Sequence, residues 1–596
     1  MYILGISCHY HDAAAALLKD GVLVAAAEEE RFTKKKHDST FPVNAIDFCL
    51  EQAGIDASEL DYIVFYEKPF LKFERILLTI LQTFPKSLQV FREAMIVWLS
   101  DKLWVKSTLR RELRRNKKTK IIFTEHHISH AASAYYSSPY QEAAVMTADG
   151  VGEWATATLG IGRGNKLEII KELRFPHSIG LLYSVFTAFL GFEVNDGEYK
   201  VMGMAPYGQP RYVDKVRELL RIGQDGSLWL DMDYFSFHYS TKQAFTRKFE
   251  ELFGPPREPE TYFFTASSGY PSYFGPRPHN YEELCEKNQY YADVAASIQT
   301  VTEEILLTMA RHLHETTGLP NLCFAGGVAL NSVANGRILR ETPFTSLYVQ
   351  PAASDAGGAL GAAQYAYHHL LGNEKNFVME HALWGKGYSP QEVKDFLTAQ
   401  GIPYREFAEE DSLLDYAATS LGQGKVVGWF QGRFEWGPRA LGSRSILADP
   451  RREEMKDIVN TKIKFREPYR PFAPVVLAER ACDFFEISDP IDCYPARFML
   501  LVAPVKPEKH GVIPAVTHVD GTGRLQTVHS GDNTRYRRLL ERFDALTGVP
   551  VLLNTSFNLR GEPIVNSPAD AYSTFVRSDI DILVLENFVV EKTGMV

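Results

Sequence analysis

Short apolar blocks separated by turn residues dominate the start of the chain. Met1 to Ser7 is one apolar run, Ala13 to Lys19 a second and Val22 to Ala27 a third, with Asp20-Gly21 between the last two. Asp-Gly between apolar runs predicts a tight hairpin. The arrangement returns later: Ala143 to Ala148, then Asp149-Gly150, then Trp154 to Ile161, a Gly-rich turn at Gly162 to Asn165, and Leu167 to Phe175. Each copy carries an aspartate, Asp12 or Asp149, past its first strand.

The repeat predicts an internally duplicated α/β fold, although two unrelated hairpins would give the same spacing. Duplicated phosphate-facing hairpins are typical of the actin, sugar-kinase and Hsp70 ATPase architecture. Between the copies, residues 67 to 120 read as amphipathic helix followed by a basic segment with Lys106, Arg110, Arg111, Arg114, Arg115, Lys117, Lys118 and Lys120. Glutamates interrupt its apolar face and no aromatics interleave with the basic run, which favours a solvated insertion over a membrane or nucleic-acid surface. Residues 252 to 280, rich in Pro, Gly and aromatics, predict a surface loop or lid, and 289 to 317 return to helix. The pattern loosens at 370 to 385, which sets two domains, 1–375 and 376–596. The second contains strands at Val426 to Phe430, Phe498 to Val502, Val549 to Leu553 and Ile582 to Leu585. It also has a helix from Asn533 to Leu546, framed by Asp532 as N-cap and Gly548 as stop.

Composition narrows the class. The 596 residues are 45% hydrophobic and 23% charged, with 64 Lys+Arg against 74 Asp+Glu for a net charge of −10. That is ordinary for a globular protein and leaves no overall electrostatic footprint for nucleic acid. The six cysteines are scattered without a CxxC pair, which suits free thiols in a reducing cytoplasm. No signal-peptide pattern opens the chain and no apolar stretch reaches the length of a membrane span.

Three groups of residues point to chemistry. His126 and His130, in TEHHISHAASAYY, are four apart on a predicted helix, so both imidazoles share a face and could meet one metal ion. His127 occupies the place where a zincin protease needs Glu, which disfavours that class. Asp149 and Asp355 are strand-end carboxylates able to complete a shell suited to Fe(II), Mn(II) or Zn(II), while a purely structural His pair is the competing reading. AGGVALN follows a predicted strand. Its Gly326 and Gly327 permit close backbone approach, and a helix start there favours phosphate, or the segment is simply a turn. EYKVMGMAPYG, Glu198 to Gly208, reads as a further glycine-bearing loop. The C-terminal half clusters cations: Arg433, Arg439, Arg444, Arg451 and Arg452 in one segment, Lys462, Lys464, Arg466 and Arg470 in the next, with Arg524, Asn554 and Ser556 on neighbouring loops. In an acidic chain these suit an oxyanion pocket better than a solvated face.

The ordered motifs CHYHD, HHISHAASA, TADGVGE, EYKVMGMAPYG, AGGVALN, SDAGGALGAA, WGPRALGSRSILADPR, REPYRPFAP and NTSFN resemble the O-carbamoyltransferase family over nearly the whole chain. The resemblance implies an actin-like N-terminal domain akin to the tRNA threonylcarbamoyl-adenosine transferase and a C-terminal domain similar to threonylcarbamoyl-adenylate synthase. By it, the C-terminal domain makes carbamoyl adenylate from carbamoyl phosphate and ATP, with Mg expected alongside the ATP. The N-terminal domain passes the carbamoyl group to a hydroxyl of a small-molecule acceptor. It assigns His126, His130, Asp149 and Asp355 to a metal, expected to be iron. It assigns Arg439, Lys464, Arg470, Arg524, Asn554 and Ser556 to carbamoyl phosphate, with Arg439 and Lys464 also catalytic. By the resemblance, His11, or His9 two residues before it, is expected to be the catalytic histidine. Asp12, Gly326, Gly327 and Asn331 are the nucleotide-site candidates. No nucleic-acid partner is expected, and a homodimer is compatible with the resemblance. The alternatives by the residues alone are an actin-like metabolite kinase and a non-enzymatic nucleotide-dependent scaffold.

Overall fold

The computed structural model describes residues 1–100, 102–113, 119–271, 274–464, 467 and 469–592. It forms two compact units. The first comprises Met1–Glu29, His37–Ser267 and Asn280–Val378, and the second Glu30–Lys36, Ser268–His279 and Met379–Val596.

In the first unit the predicted runs become β1 (Tyr2–Ser7), β2 (Ala14–Lys19) and β3 (Val22–Glu28), followed by β4 (Tyr62–Phe65) and β5 (Lys120–Phe123). Their order in the sheet is β3-β2-β1-β4-β5. The second copy consists of β6 (Glu142–Ala148), β7 (Ala155–Arg163) and β8 (Lys166–Arg174). After a short hairpin, β9 (Leu220–Ile222) and β10 (Leu228–Leu230), it adds β11 (Asn321–Ala325) and β12 (Ser346–Tyr348). Read from β8, the order is β8-β7-β6-β11-β12, the same path as the first sheet. In both, the first three strands pair antiparallel and the last two join in parallel. Identical topology and pairing sense in two five-stranded sheets make this a duplicated, actin-like α/β fold. Between the sheets run two helices, His126–Tyr135 and Asp355–Gln364, the second buried along its whole length. Its Ala- and Gly-rich composition allows that close packing.

The insertion between β4 and β5 is helical, Pro69–Thr83, Leu88–Ser100 and Val105–Glu112, and Lys106, Arg110 and Arg111 on it are exposed. Arg114, Arg115, Lys117 and Lys118 lie outside the described residues. The helix expected over 289–317 begins earlier, at Tyr281, where Glu282 and Glu283 favour a helix start. Glu198 to Gly208 is helix over Glu198–Met204 rather than a loop, because burial of Val201 and Met204 outweighs its glycine.

The second unit carries β13 (Arg405–Glu406), β14 (Val427–Phe430), β15 (Arg444–Ala448), β16 (Ala473–Leu477), β17 (Leu501–Pro504), β18 (Thr522–Val528), β19 (Val551–Ser556), β20 (Ile582–Leu585) and β21 (Phe588–Glu591). They form one mixed sheet in the order β13-β21-β20-β14-β15-β19-β16-β18-β17. The helices Glu410–Gly422 and Thr534–Thr547 bury Leu413, Leu414, Leu421, Leu539, Leu540 and Phe543 against Trp429, Leu447, Val475 and Leu552 of this sheet. Each such side chain contributes about 1.5–3 kcal/mol. Asn533, not Asp532, caps the second helix, its side chain accepting from Tyr536 N–H at 3.1 Å. Among the described residues no helix is long and apolar enough to cross a membrane.

Candidate functional site

The helix spacing of His126 and His130 brings their Nε2 atoms to 3.0 Å from each other. Asp149, just beyond the end of β6, places Oδ2 3.1 Å from His126 Nε2 and 3.8 Å from His130 Nε2. Asp355, the first residue of the buried helix, places Oδ1 3.5 Å from both nitrogens. One ligand atom from each of the four residues lies within 4.8 Å of every other. Each carboxylate spends its second oxygen on the protein. Asp149 Oδ1 accepts the Gly327 N–H at 2.9 Å, and Asp355 Oδ2 accepts the Tyr66 hydroxyl at 3.3 Å.

This donor set fits a divalent cation. Nitrogen and carboxylate ligands sit about 2.0–2.2 Å from such an ion, which spaces them about 3.0–3.6 Å apart. Asp355 Oδ1 is fully buried without a hydrogen-bond partner, and two imidazole nitrogens face each other beside two carboxylates. Burial opposes charge on His130, but Asp149 and Asp355 outweigh it and raise the imidazole to about 9. The field of the cluster thus demands positive charge at its centre. His127 turns away: its Nδ1 meets Thr147 Oγ1 at 2.7 Å, and burial followed by His126 and His130 holds it well below its ordinary value.

His11 flanks the cluster, with Nε2 3.9 Å from Asp355 Oδ2 and Nδ1 3.1 Å from Asp12 Oδ2. Burial opposes its charge, yet Asp355 and Asp12 raise it to about 9. The His9 ring lies beside Phe65 instead, with ring centroids 6.4 Å apart. Asp12 is also held by His37 Nδ1 at 2.7 Å and by the Ser354 hydroxyl at 3.1 Å, and His37 reaches on to Asp196 at 3.1 Å. Neither His37 nor Ser354 stands out in the sequence. Gly326 has a left-handed φ of 94°, and a Cβ there would lie 2.2 Å from Ala148 O, so this glycine is required by contact with β6. The helix beyond starts at Ser332, later than the glycines suggested, with Asn331 as its N-cap; the Asn331 side chain accepts from Ala334 N–H at 3.1 Å and donates to Gln299 at 3.1 Å.

In the second unit Lys464 Nζ donates to Ser556 O and, at 3.2 Å, to Ser556 Oγ, and it also meets Asn558 Oδ1 at 2.7 Å. Asn554 Nδ2 donates to Gln526 at 2.6 Å and to the carbonyl of Ala440, the neighbour of Arg439, at 3.0 Å. Arg524 is on β18, paired with Val502, and Arg470 lies 3.7 Å from Glu467. The structure therefore gathers Lys464, Ser556, Asn554 and the Arg439 segment, and adds Asn558, whose only sequence signal is the NTSFN run. Other arginines of the expected clamp serve the fold. Arg433 donates to the carbonyls of Gly385 and Trp384, Arg444 to those of Gln431, Ser443 and Gly432, and Arg451 pairs with Asp449 at 2.7 Å. Arg452 points to the same aspartate at 3.9 Å, and Arg466 lies outside the described residues.

Family models described as "Carbamoyltransferase N-terminus" and "Carbamoyltransferase C-terminus" match residues 2–364 and 418–592. An uncharacterized protein of Synechocystis, sll1178, is 49% identical over 100% of this chain and 97% of its own length. Nodulation protein NolNO of Sinorhizobium fredii is 38% identical over 98% of this chain and 79% of its own. Nodulation protein NolO of Bradyrhizobium diazoefficiens is 37% identical over 78% of each. Among solved structures, component A of the Acidaminococcus fermentans (R)-2-hydroxyglutaryl-CoA dehydratase aligns at a TM-score of 0.28 and 13% identity, covering 62% of this chain and 99% of that one. The chain belongs to the carbamoyltransferase family.

Proposed function

We propose that this protein is an ATP-dependent O-carbamoyltransferase acting on a hydroxyl of a small-molecule, natural-product or sugar-like acceptor. The observation that carries the proposal is His11 standing 3.9 Å from a carboxylate of a buried two-His, two-Asp cluster in a chain matched by both halves of the family. In the second unit, water hydrolyses the mixed-anhydride bond of carbamoyl phosphate, releasing inorganic phosphate and carbamate. Carbamate oxygen attacks the α-phosphorus of ATP, and pyrophosphate leaves. Arg439, Lys464, Arg470 and Arg524 supply the positive charge that this oxyanion chemistry needs, with Asn554 and Ser556 as hydrogen-bonding partners. In the first unit the acceptor hydroxyl attacks the carbamoyl carbon of the adenylate and AMP leaves.

With Asp355, the carboxylate that most raises His11, offset by a cation held in the cluster, the neutral imidazole takes the proton from that hydroxyl, and Asp12 orients the ring through Nδ1. His126, His130, Asp149 and Asp355 would hold a first-row divalent ion, Fe(II) by the family resemblance, with Mn(II) and Zn(II) also suited to the donors. When bound, such an ion supplies Lewis acidity and an anchor for anionic groups. Asp12, Gly326 and Gly327 border the same cluster, consistent with an adenylate there.

The test is to follow pyrophosphate release from purified protein with ATP, with and without carbamoyl phosphate. Release should require carbamoyl phosphate, and Lys464→Ala should lower it by about 100-fold or more, as for removal of a preorganised charge at a developing oxyanion. ATP turnover indifferent both to carbamoyl phosphate and to Lys464→Ala would sink the proposal.

A further inference from the structure

The loop that delivers Asp149 also grips the helix that delivers the imidazoles. Glu153 is buried, and both of its carboxylate oxygens accept the backbone N–H of His126, each at 3.1 Å. One of them also accepts the N–H of Lys68 at 2.7 Å. His126 is the first residue of its helix, and Glu125 at the capping position forms no side-chain cap. The Glu125 carboxylate takes Lys68 Nζ at 2.8 Å instead. The first N–H groups of a helix lack partners within it and carry partial positive charge. Glu153 therefore supplies the cap from another segment. Gly152 lets the loop come this near, since a Cβ there would lie 2.9 Å from His126 Cβ.

The ring of His126 is not secured in the usual way. A ligating histidine ordinarily donates its second ring N–H to a carboxylate or carbonyl, which fixes its orientation. His126 Nδ1 is buried without a hydrogen-bond partner, and Glu67 Oε2, 3.9 Å away, accepts from Lys72 at 2.6 Å. Outside the Nε2 contacts within the cluster, His126 is fixed through its main-chain N–H, and the group that accepts it is Glu153.

We propose that Glu153 is a positioning residue for the four-residue cluster: it pins the helix start to the Asp149 loop and so keeps His126 Nε2 at ligating distance from the carboxylates. It touches neither ion nor substrate. The proposal rests on the metal-binding reading given above.

The experiment is Co(II) titration of the metal-stripped full-length protein, reading the affinity and the visible ligand-field bands, with far-UV circular dichroism as the check on folding. Glu153→Ala should weaken Co(II) binding by about 10- to 100-fold and alter the bands, the range usual for loss of an outer-shell partner. Glu153→Gln, which keeps one accepting oxygen, should fall between Glu153→Ala and the parent. Glu125→Ala should bind as the parent does. If the alanine variant does not fold, the glutamine variant decides the matter through its bands and affinity. Parent-like affinity and bands in a folded Glu153 variant overturn the role of Glu153 and leave the metal reading intact. A parent that takes up no Co(II) overturns both.

Discussion

The two hairpin units of the N-terminal fold share strand order and pairing, but their loops differ. In the first copy, the loop after β1 holds His9 at a φ of 77° and Asp12 at 50°, left-handed values at residues other than glycine. Such conformations cost about 1–3 kcal/mol each and persist only where surroundings enforce them. Here the enforcement is visible: Asp12 is tied to His11, His37 and Ser354. The His11 and Asp12 side chains keep 17% and 19% of their surface exposed. In the second copy, the loop after β6 closes with the Gly152 N–H donating to Ala155 O at 2.9 Å, and the Asp149 side chain is 9% exposed. One copy thus presents a strained, open His-Asp pair suited to a substrate, and the other a closed carboxylate suited to an ion. Duplication supplied two loop ends at one place, and on the proposed function their different residues give them different work.

The sharpest way to break this division is Asp149→Ala. It removes a ligand and the acceptor of the Gly327 N–H together. Bound metal should fall to background by elemental analysis, and carbamoyl transfer should fall by more than the roughly 10²- to 10⁴-fold that loss of a general base costs. Full metal content in this variant would refute the assignment of the second loop. His11→Asn acts on the first loop and should be next in size. Transfer to the acceptor should drop about 10²- to 10⁴-fold, while metal content and carbamoyl-phosphate-dependent pyrophosphate release stay at the parent's level. Loss of metal along with transfer would show that the two loops do not divide the work.

The duplicated strands were legible because Asp20-Gly21 and Asp149-Gly150 each break a series of apolar runs, and the His pair because helical spacing puts i and i+4 on one face. Glu153 was not, because its partners are backbone N–H groups 27 and 85 positions away, which no side-chain pattern records. His37 was missed for a similar reason, lying 25 residues from Asp12 and 159 from Asp196. The C-terminal arginines show the opposite error. A guanidinium offers five donors whether they meet a ligand or main-chain carbonyls, so Arg433 and Arg444 read from sequence like anion clamps. Folding directs them to carbonyl oxygens, and Arg444 stacks over Phe430 at 3.6 Å, fully buried.

The smallest expected effect belongs to His127, and it tests how far the second copy's chemistry extends. His127 stands between the two candidate ligands in sequence and is as buried as they are. Its Nδ1 is engaged by Thr147 Oγ1, which in turn meets Thr158 Oγ1 at 2.6 Å on the neighbouring strand. That bond directs the ring to β6 and β7 and away from the carboxylates. Burial keeps the imidazole neutral, so removing it leaves no unpaired charge behind. His127→Gln retains a polar group near Thr147 with a somewhat different shape, a change that costs about 1–3 kcal/mol when packing adjusts imperfectly. Thermal unfolding should show that loss of stability, while Co(II) affinity and ligand-field bands should match the parent. If the bands shift or affinity falls tenfold, His127 acts on the ion, and the division of the HHISH segment into two ligands and one packing residue is wrong.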